Sequence, residues 1–328
     1  MTTKQAIELI MKVKTASELF GDDEDAVFKR LAKLVHPDVV DGKTKASAHE
    51  AFTKLNRLYG EATDRPQPFS AMKIGDWIVT APLAKGDVAD LYTASNGKGE
   101  EAVLKIARSP KDNDLMAAEA EALKRLWGPA LDDNFKKYVP KLLDTFKASG
   151  RQANVLSAAP AKSYALADIL EQHSDRLDFR HVVWMVNRLL AVLGYAHKQE
   201  MIHGAVWPEH LLYEIEGHGL TLVGWCYSTK LGEKMRAIPA GHRTAYPPEV
   251  TGRKAAIGAT DIYMAARVAI AAADRVPKRF QAVLSEWCMA ESPRARPQDA
   301  WALQETWERL AREEYGPPKY VRLELAAN

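Results

Sequence analysis

A chain of 328 residues, 47% hydrophobic and 27% charged, is long enough for two units that each bury a core. Lysine and arginine number 45 against 43 acidic residues, and the formal net charge of +2 supplies no overall field of the kind nucleic acid or anionic lipid requires. The two cysteines, Cys226 and Cys288, are too few for a disulfide framework and stand in no metal-ligand spacing, so no metal and no cofactor is expected and the setting is expected to be reducing and cytoplasmic.

At the N-terminus, MTTKQAIELIMKVK carries an apolar patch broken by Glu8 and Lys12, unlike the uninterrupted apolar region of a signal peptide. No apolar run in the chain approaches the ~18 residues of a membrane span, and a soluble protein is expected. Helical spacing then appears twice, in Phe28, Leu31, Ala32 and Val35 and in Ala48, Ala51, Phe52, Leu55 and Tyr59. Asp22, Asp23, Glu24 and Asp25 suit the start of the first helix, where the dipole favours negative charge. His36-Pro37-Asp38 marks its end: proline disfavours helical geometry at His36, so an exposed turn presents an imidazole beside a carboxylate. Lys29, Arg30 and Lys33 fall on the face opposite the apolar stripe, which taken alone is also what a solvated helix carries. The proline-containing stretch EATDRPQPFSAM, Glu61 to Met72, separates this helical pattern from a run of strand-like segments. A helical unit over 1–66, a linker over 67–73 and a second unit over 74–328 are therefore expected.

The basic helix, the HPD loop and the Phe52, Leu55, Asn56, Tyr59 pattern resemble the J-domain (DnaJ-like) co-chaperones over about residues 14 to 64. The resemblance implies that His36, Pro37, Asp38, Lys29, Arg30 and Lys33 dock on a DnaK-class heat-shock chaperone and stimulate its ATPase. Val39-Val40 departs from the lysine that often succeeds the loop in that family.

Beyond the linker, DWIVTAPLA, DLYTAS, EAVLKIA and NVLSAAP have strand composition, interrupted by a helical stretch from about Asn113 to Trp127. From Leu166 onward the pattern reads as almost all helix. Along this order lie LAKGDVADLY with Gly86, AVLKIA with Lys105, AAEAEALKRL with Glu119 (Glu121 in a less favoured register), HGAVWPEHLL, LTLVGWCYS, YPPE with Glu249, TDIYMAARVAI with Asp261, and SPRARPQDAW with Arg296.

In that order the motifs resemble a protein kinase from Ile74 to about Arg312. The resemblance implies a nucleotide cleft bounded by Gly86 with Lys105 and Glu119 paired, and a structural framework of Glu249 with Arg296 and of Asp261, which anchors the catalytic-loop backbone. It also exposes losses. Kinases need an aspartate to accept the substrate proton, and an asparagine and a second aspartate to hold magnesium; Ala205, His210 and Gly224 stand in those places. A methyl group accepts no proton. The expected fold is thus a small all-α J-domain followed by a bilobal α+β protein-kinase-like domain without catalytic residues, a pseudokinase. The expected partners are a DnaK-class chaperone and a client protein bound by the second unit, with no nucleic acid and no membrane. Two other readings stay open: an atypical nucleotide-binding phosphoryl- or nucleotidyl-transferase that still uses Lys105 and Glu119, and an inert scaffold.

Overall fold

The computed structural model describes residues 1–13, 15–21, 24–36, 40, 44–63, 71–128, 133–173 and 176–325. The chain divides into two compact units, Met1–Ser70 and Ala71–Asn328.

In the first unit, α1 (Thr3–Lys12) opens on a capping box: Thr2 Oγ1 accepts from the Gln5 N–H at 3.3 Å, and the Thr2 N–H donates to Gln5 Oε1 at 2.9 Å. Neither α1 nor α2 (Ala16–Phe20) is among the sequence-predicted helices. Gly21, at φ +62°, stops α2 in a conformation that a side chain would strain. The two predicted helices are α3 (Glu24–Val35) and α4 (Lys45–Thr63). Leu31 and Val35 from α3 and Ala48, Ala51, Leu55 and Leu58 from α4 join Ile10 and Phe20 in one core. Phe28 stacks on Tyr59 with ring centroids 4.0 Å apart, and the Tyr59 hydroxyl donates to Asp25.

The second unit is mixed α+β. Strands β1 (Met72–Ile74), β2 (Trp77–Lys85), β3 (Ala89–Ser95), β4 (Glu101–Ala107), β5 (Leu142–Ala148) and β6 (Arg151–Ser157) form one antiparallel sheet in the order β1-β2-β3-β4-β6-β5. Irregularities between Val79 and Ala81 and between Pro82 and Ala84 curl its β2 side. β1 and β5, both edge strands, are additions to the sequence-predicted set. Helix α5 (Asn113–Leu126) comes after β4, and the single turn α6 (Asp133–Lys136) precedes β5.

After β6 come β7 (Ser163–Ala165), α7 (Leu166–Gln172) and α8 (Phe179–Lys198). α8 buries residues around most of its circumference, Leu189, Leu190, Val192, Leu193 and Tyr195 among them, as a helix at the centre of a core must. The almost all-helix expectation fails next, over 199–247. That stretch holds β8 (Met201–Ile202), β9 (Leu211–Glu214), β10 (Gly219–Leu222) and β11 (Thr229–Lys230), with short 3-10 turns between them. Gly204 at φ +68°, Pro208 and Gly224 at φ +84° each prevent a continuous helix there. The chain then returns to helix in α9 (Pro248–Thr251), α10 (Gly258–Ala272), α11 (Lys278–Gln281) and α12 (Ala300–Tyr315). Gly194 of α8 faces the Trp301 ring of α12 so closely that a Cβ would overlap it.

One buried ion pair ties α9 to the segment before α12. Arg296 Nη1 and Nη2 donate to Glu249 Oε1 and Oε2 at 2.8 and 3.0 Å, and both side chains are almost wholly buried. The pair is completed by further hydrogen bonds: Arg296 Nε donates to the Ala290 carbonyl at 2.7 Å, and Thr260 Oγ1 donates to Glu249 Oε1 at 3.0 Å. Removing one partner of such a pair strands the other charge and costs about 3 to 5 kcal/mol. Arg296→Ala is therefore expected to lower the denaturant midpoint of the second unit sharply. A loss of only about 0.5 kcal/mol, the scale of an exposed pair, would contradict a buried, fully bonded pair at this site.

Candidate functional site

On the first unit, Lys29, Arg30 and Lys33 of α3 line a shallow surface groove with Met1 and Leu34, and Lys29, Arg30 and Lys33 are exposed. His36 comes directly after the helix and outside it, as a residue before proline should. It is not the fully exposed imidazole that the sequence suggests: the residue is half-buried and its ring meets Phe52 of α4 edge-on, centroids 5.1 Å apart. The reason is local, since Phe52 packs at the margin of the core shared by α3 and α4 and offers the ring an apolar wall. Pro37 and Asp38 lie outside the described residues.

In the second unit β4 carries Lys105 inward, opposite Leu91 of β3 and Asn154 of β6. Lys105 Nζ meets Glu119 Oε1 of α5 at 2.5 Å, with side-chain exposures of 8% and 0% that put the pair beyond the reach of solvent screening. Burial acts most strongly on Lys105 and by itself lowers its pKa. The Glu119 carboxylate and the hydrogen bond to it outweigh burial, so the ammonium titrates above its ordinary value. Asn154, which sequence reasoning missed, completes the network by donating to Glu119 Oε2 at 3.1 Å and to the Met116 carbonyl at 2.8 Å. The available signal was an asparagine set among Ala153, Val155 and Leu156, the apolar part of β6. Glu121, the other candidate, points elsewhere and reaches Lys230 at 3.4 Å. Gly86 closes the β2–β3 turn through its N–H to the Ala89 carbonyl at 2.9 Å.

Asp261, fully buried on α10, fixes the loop after β8. Its Oδ2 accepts from the His203 N–H at 2.9 Å and from His197 Nε2 at 2.9 Å, and its Oδ1 accepts from the Gly204 N–H at 2.8 Å. A carboxylate with three donors needs no water, so the loop backbone can be buried at this point. Gly204, at φ +68°, would strain any side chain, and a Cβ there would also have to displace the end of the Met235 side chain.

His203 is a neutral imidazole held in one tautomer: Nε2 donates to the Val223 carbonyl at 2.8 Å, and Nδ1 accepts from the Ala205 N–H at 3.2 Å. Burial holds its pKa below the ordinary value. His210 is the complementary case. Its Nδ1 donates to the Ala205 carbonyl at 2.9 Å, and although part of the residue reaches the surface, burial of the ring, with His203 next, pushes its pKa down to about 3. Ala205 itself is buried.

The His210 ring also occupies the space beside Gly224. A Cβ built at residue 224 would overlap ring atoms Cε1, Nδ1 and Cγ, and Gly224 adopts φ +84°, which favours glycine. Around this contact the rings crowd. Trp207 stacks on His242 at 4.1 Å and lies 4.9 Å from His210, Tyr227 meets Trp207 edge-on at 5.5 Å, and Trp225 is fully buried against His203 at 4.6 Å. No acid stands beside Gly224 at position 226 either; burial pushes the Cys226 thiol up to about 12, so it stays neutral. The chemistry open to this arrangement is correspondingly narrow. It contains one paired cation, the neutral imidazoles of His203 and His210, and indoles, and among the described residues no cluster of three His, Cys, Asp or Glu side chains suits a metal ion.

No protein-family model matches the chain, and no curated protein matches it. Among the described residues, no helix is long and apolar enough to cross a membrane.

The interlock between residues 210 and 224 predicts a specific non-additivity. Gly224→Asp is expected to destabilise the second unit mainly by collision with the His210 ring, since aspartate tolerates left-handed backbone better than most residues. Adding His210→Asn removes the obstruction. In a double-mutant cycle measured by urea melts, the double variant should then be more stable than the two single losses sum to, by about 1 kcal/mol or more. Additivity within about 0.5 kcal/mol would contradict it.

Proposed function

We propose that the chain is a co-chaperone: a J-domain-like first unit that recruits a DnaK-class ATPase, joined to a pseudokinase-like second unit that binds a client or partner protein and performs no phosphoryl transfer. The observation that carries this reading is the cationic face of α3. Lys29, Arg30 and Lys33 stand exposed near one another and run toward His36, while the opposite face, through Leu31 and Val35, is spent on the unit's own core. Such a face suits an acidic protein surface and steers its encounter.

For the second unit the support is the filled interior. ATP brings about four negative charges, which kinases neutralise with magnesium held by an aspartate and an asparagine. Here Gly224 and a neutral His210 ring stand in those places, packed against each other. Lys105 is already engaged by Glu119. That same intact pair is the one feature favouring the second reading, an atypical transferase, because it retains a cation where a nucleotide phosphate would need one. Phosphate transfer from ATP that disappears in Lys105→Ala would establish it.

The test of the leading reading is single-turnover ATP hydrolysis by a DnaK-class chaperone with the full chain added. Stimulation is expected from the wild type, loss of it from Asp38→Asn, and a salt-sensitive weakening from reversing Lys29, Arg30 and Lys33 to glutamate. Equal rates with wild type and variants, or no stimulation by the wild type, would overturn it.

A further inference from the structure

The segment after β11 and the turn after α9 pair through their backbones. The Ala256 N–H donates to the Glu233 carbonyl at 2.8 Å and the Gly232 N–H donates to the Ala256 carbonyl at 2.9 Å, with an antiparallel bridge between Lys234 and Ala255. Residues opposite each other in such a bridge have Cα atoms about 5 Å apart, so Lys234 stands beside Lys254 and close to Arg253. Arg236 adds a fourth cation on the side of its segment that Lys234 occupies: Met235 between them is buried, and both neighbours are exposed. Arg253 and Lys254 are exposed as well.

The chain itself does not neutralise this group. Among the described residues, no ion pair or side-chain hydrogen bond engages any of the four, whereas Arg108, Arg125, Arg180, Arg279, Arg309 and Arg312 elsewhere on the second unit each meet a carboxylate. Residues 228–257 hold only Glu233 and Glu249 as acids, and Glu249 is committed to Arg296. The backbone that carries the cations is fixed. Met235 packs beside Gly204, and Thr229 Oγ1 donates to the Lys234 carbonyl at 3.2 Å. The Arg253 and Lys254 N–H groups donate to the Val250 and Glu249 carbonyls of α9 at 3.0 and 2.8 Å. Arg253 does so at φ +56°, a left-handed conformation that disfavours a side chain. Like charges on paired segments repel, and an anionic partner removes that repulsion. Residues held in sparse backbone conformations cluster at ligand clamps.

We propose that Lys234, Arg236, Arg253 and Lys254 form a docking surface for an acidic peptide segment of the protein that the second unit binds, with Leu231 at its margin taking an apolar side chain of that segment. Leu231 is 46% exposed, directly after β11. The cations are strung along two paired segments, which suits carboxylates distributed along a chain. Nucleic acid is the poorer occupant, because the exposed Glu233 among the cations opposes a continuous row of phosphates, while a peptide can place an uncharged residue there. The inference rests on the second unit being a binding unit and gives its partner a chemistry; the α3 face and the DnaK-class ATPase take no part in it.

The test is the anisotropy of a short fluorescein-labelled oligoglutamate peptide with a central leucine, titrated with the full chain at low ionic strength. The chain carries Lys29, Arg30 and Lys33 reversed to glutamate throughout, which removes the α3 face from the measurement and keeps the outcome independent of the ATPase reading. Saturable binding that weakens with added salt is expected, and the same peptide with glutamine in place of glutamate should not bind. Lys234→Glu with Lys254→Glu should weaken binding at least ~10-fold. Arg253→Gly relieves the left-handed backbone, so it should weaken binding ~3-fold while leaving the urea midpoint of the second unit no lower than before. Absence of saturable binding, binding unchanged by these substitutions, equal binding of the glutamine peptide, or tighter binding of a short DNA duplex of matched charge would each overturn the proposal.

Discussion

The His210 ring lies where a side chain at residue 224 would begin, and the left-handed turn at Gly224 is what makes room for it. Much of the second unit's interior is arranged around that contact. The ring is aimed by the Ala205 carbonyl, which the loop can present because Asp261 holds the preceding N–H groups of His203 and Gly204. Trp207 then packs beside His210 and carries His242 on its outer face, while Trp225 closes the side toward His203. Each step replaces a place where charge or water could enter with a ring or a satisfied hydrogen bond. Interiors packed in this way respond to a substitution as a unit, because a side chain cannot be added without displacing another.

The buried charges are managed on a different principle. Lys105 with Glu119 and Arg296 with Glu249 are each desolvated, and each survives because further groups complete the hydrogen bonding: Asn154 in one case, Thr260 and the Ala290 carbonyl in the other. Buried pairs of this kind are weak contributors to net stability but costly to break. They therefore act as fixed points. One joins α5 to the sheet, the other joins α9 to the segment before α12, and the aromatic packing fills the second unit's interior with both in place.

How much of this the sequence discloses depends on the range of the interaction. The strand composition of DWIVTAPLA and EAVLKIA marks β2 and β4, and the ordered spacing of Lys105, Glu119, Glu249, Asp261 and Arg296 singles out residues that do meet in the contacts described. Helix α1, not among the predicted helices, carries local signals too, the Thr2–Gln5 capping box and the short stripe of Ala6, Ile7 and Ile10 that enters the core. β1 and β5 are edge strands whose pairing is decided by their neighbours. Met235 over Gly204, His242 on Trp207 and Tyr320 on His218 join residues far apart in the chain, and no local pattern announces them. The same holds for His36, whose packing against Phe52 needs α3 and α4 already in place.

On the reading proposed above, the interior around Lys105 is occupied by the chain's own side chains and takes no magnesium nucleotide. Titration calorimetry of the full chain with ATP, in the presence and absence of magnesium, addresses it most directly. The packing of His210 against Gly224 predicts no binding that depends on magnesium. Micromolar binding that requires the metal and is lost in Lys105→Ala would contradict it.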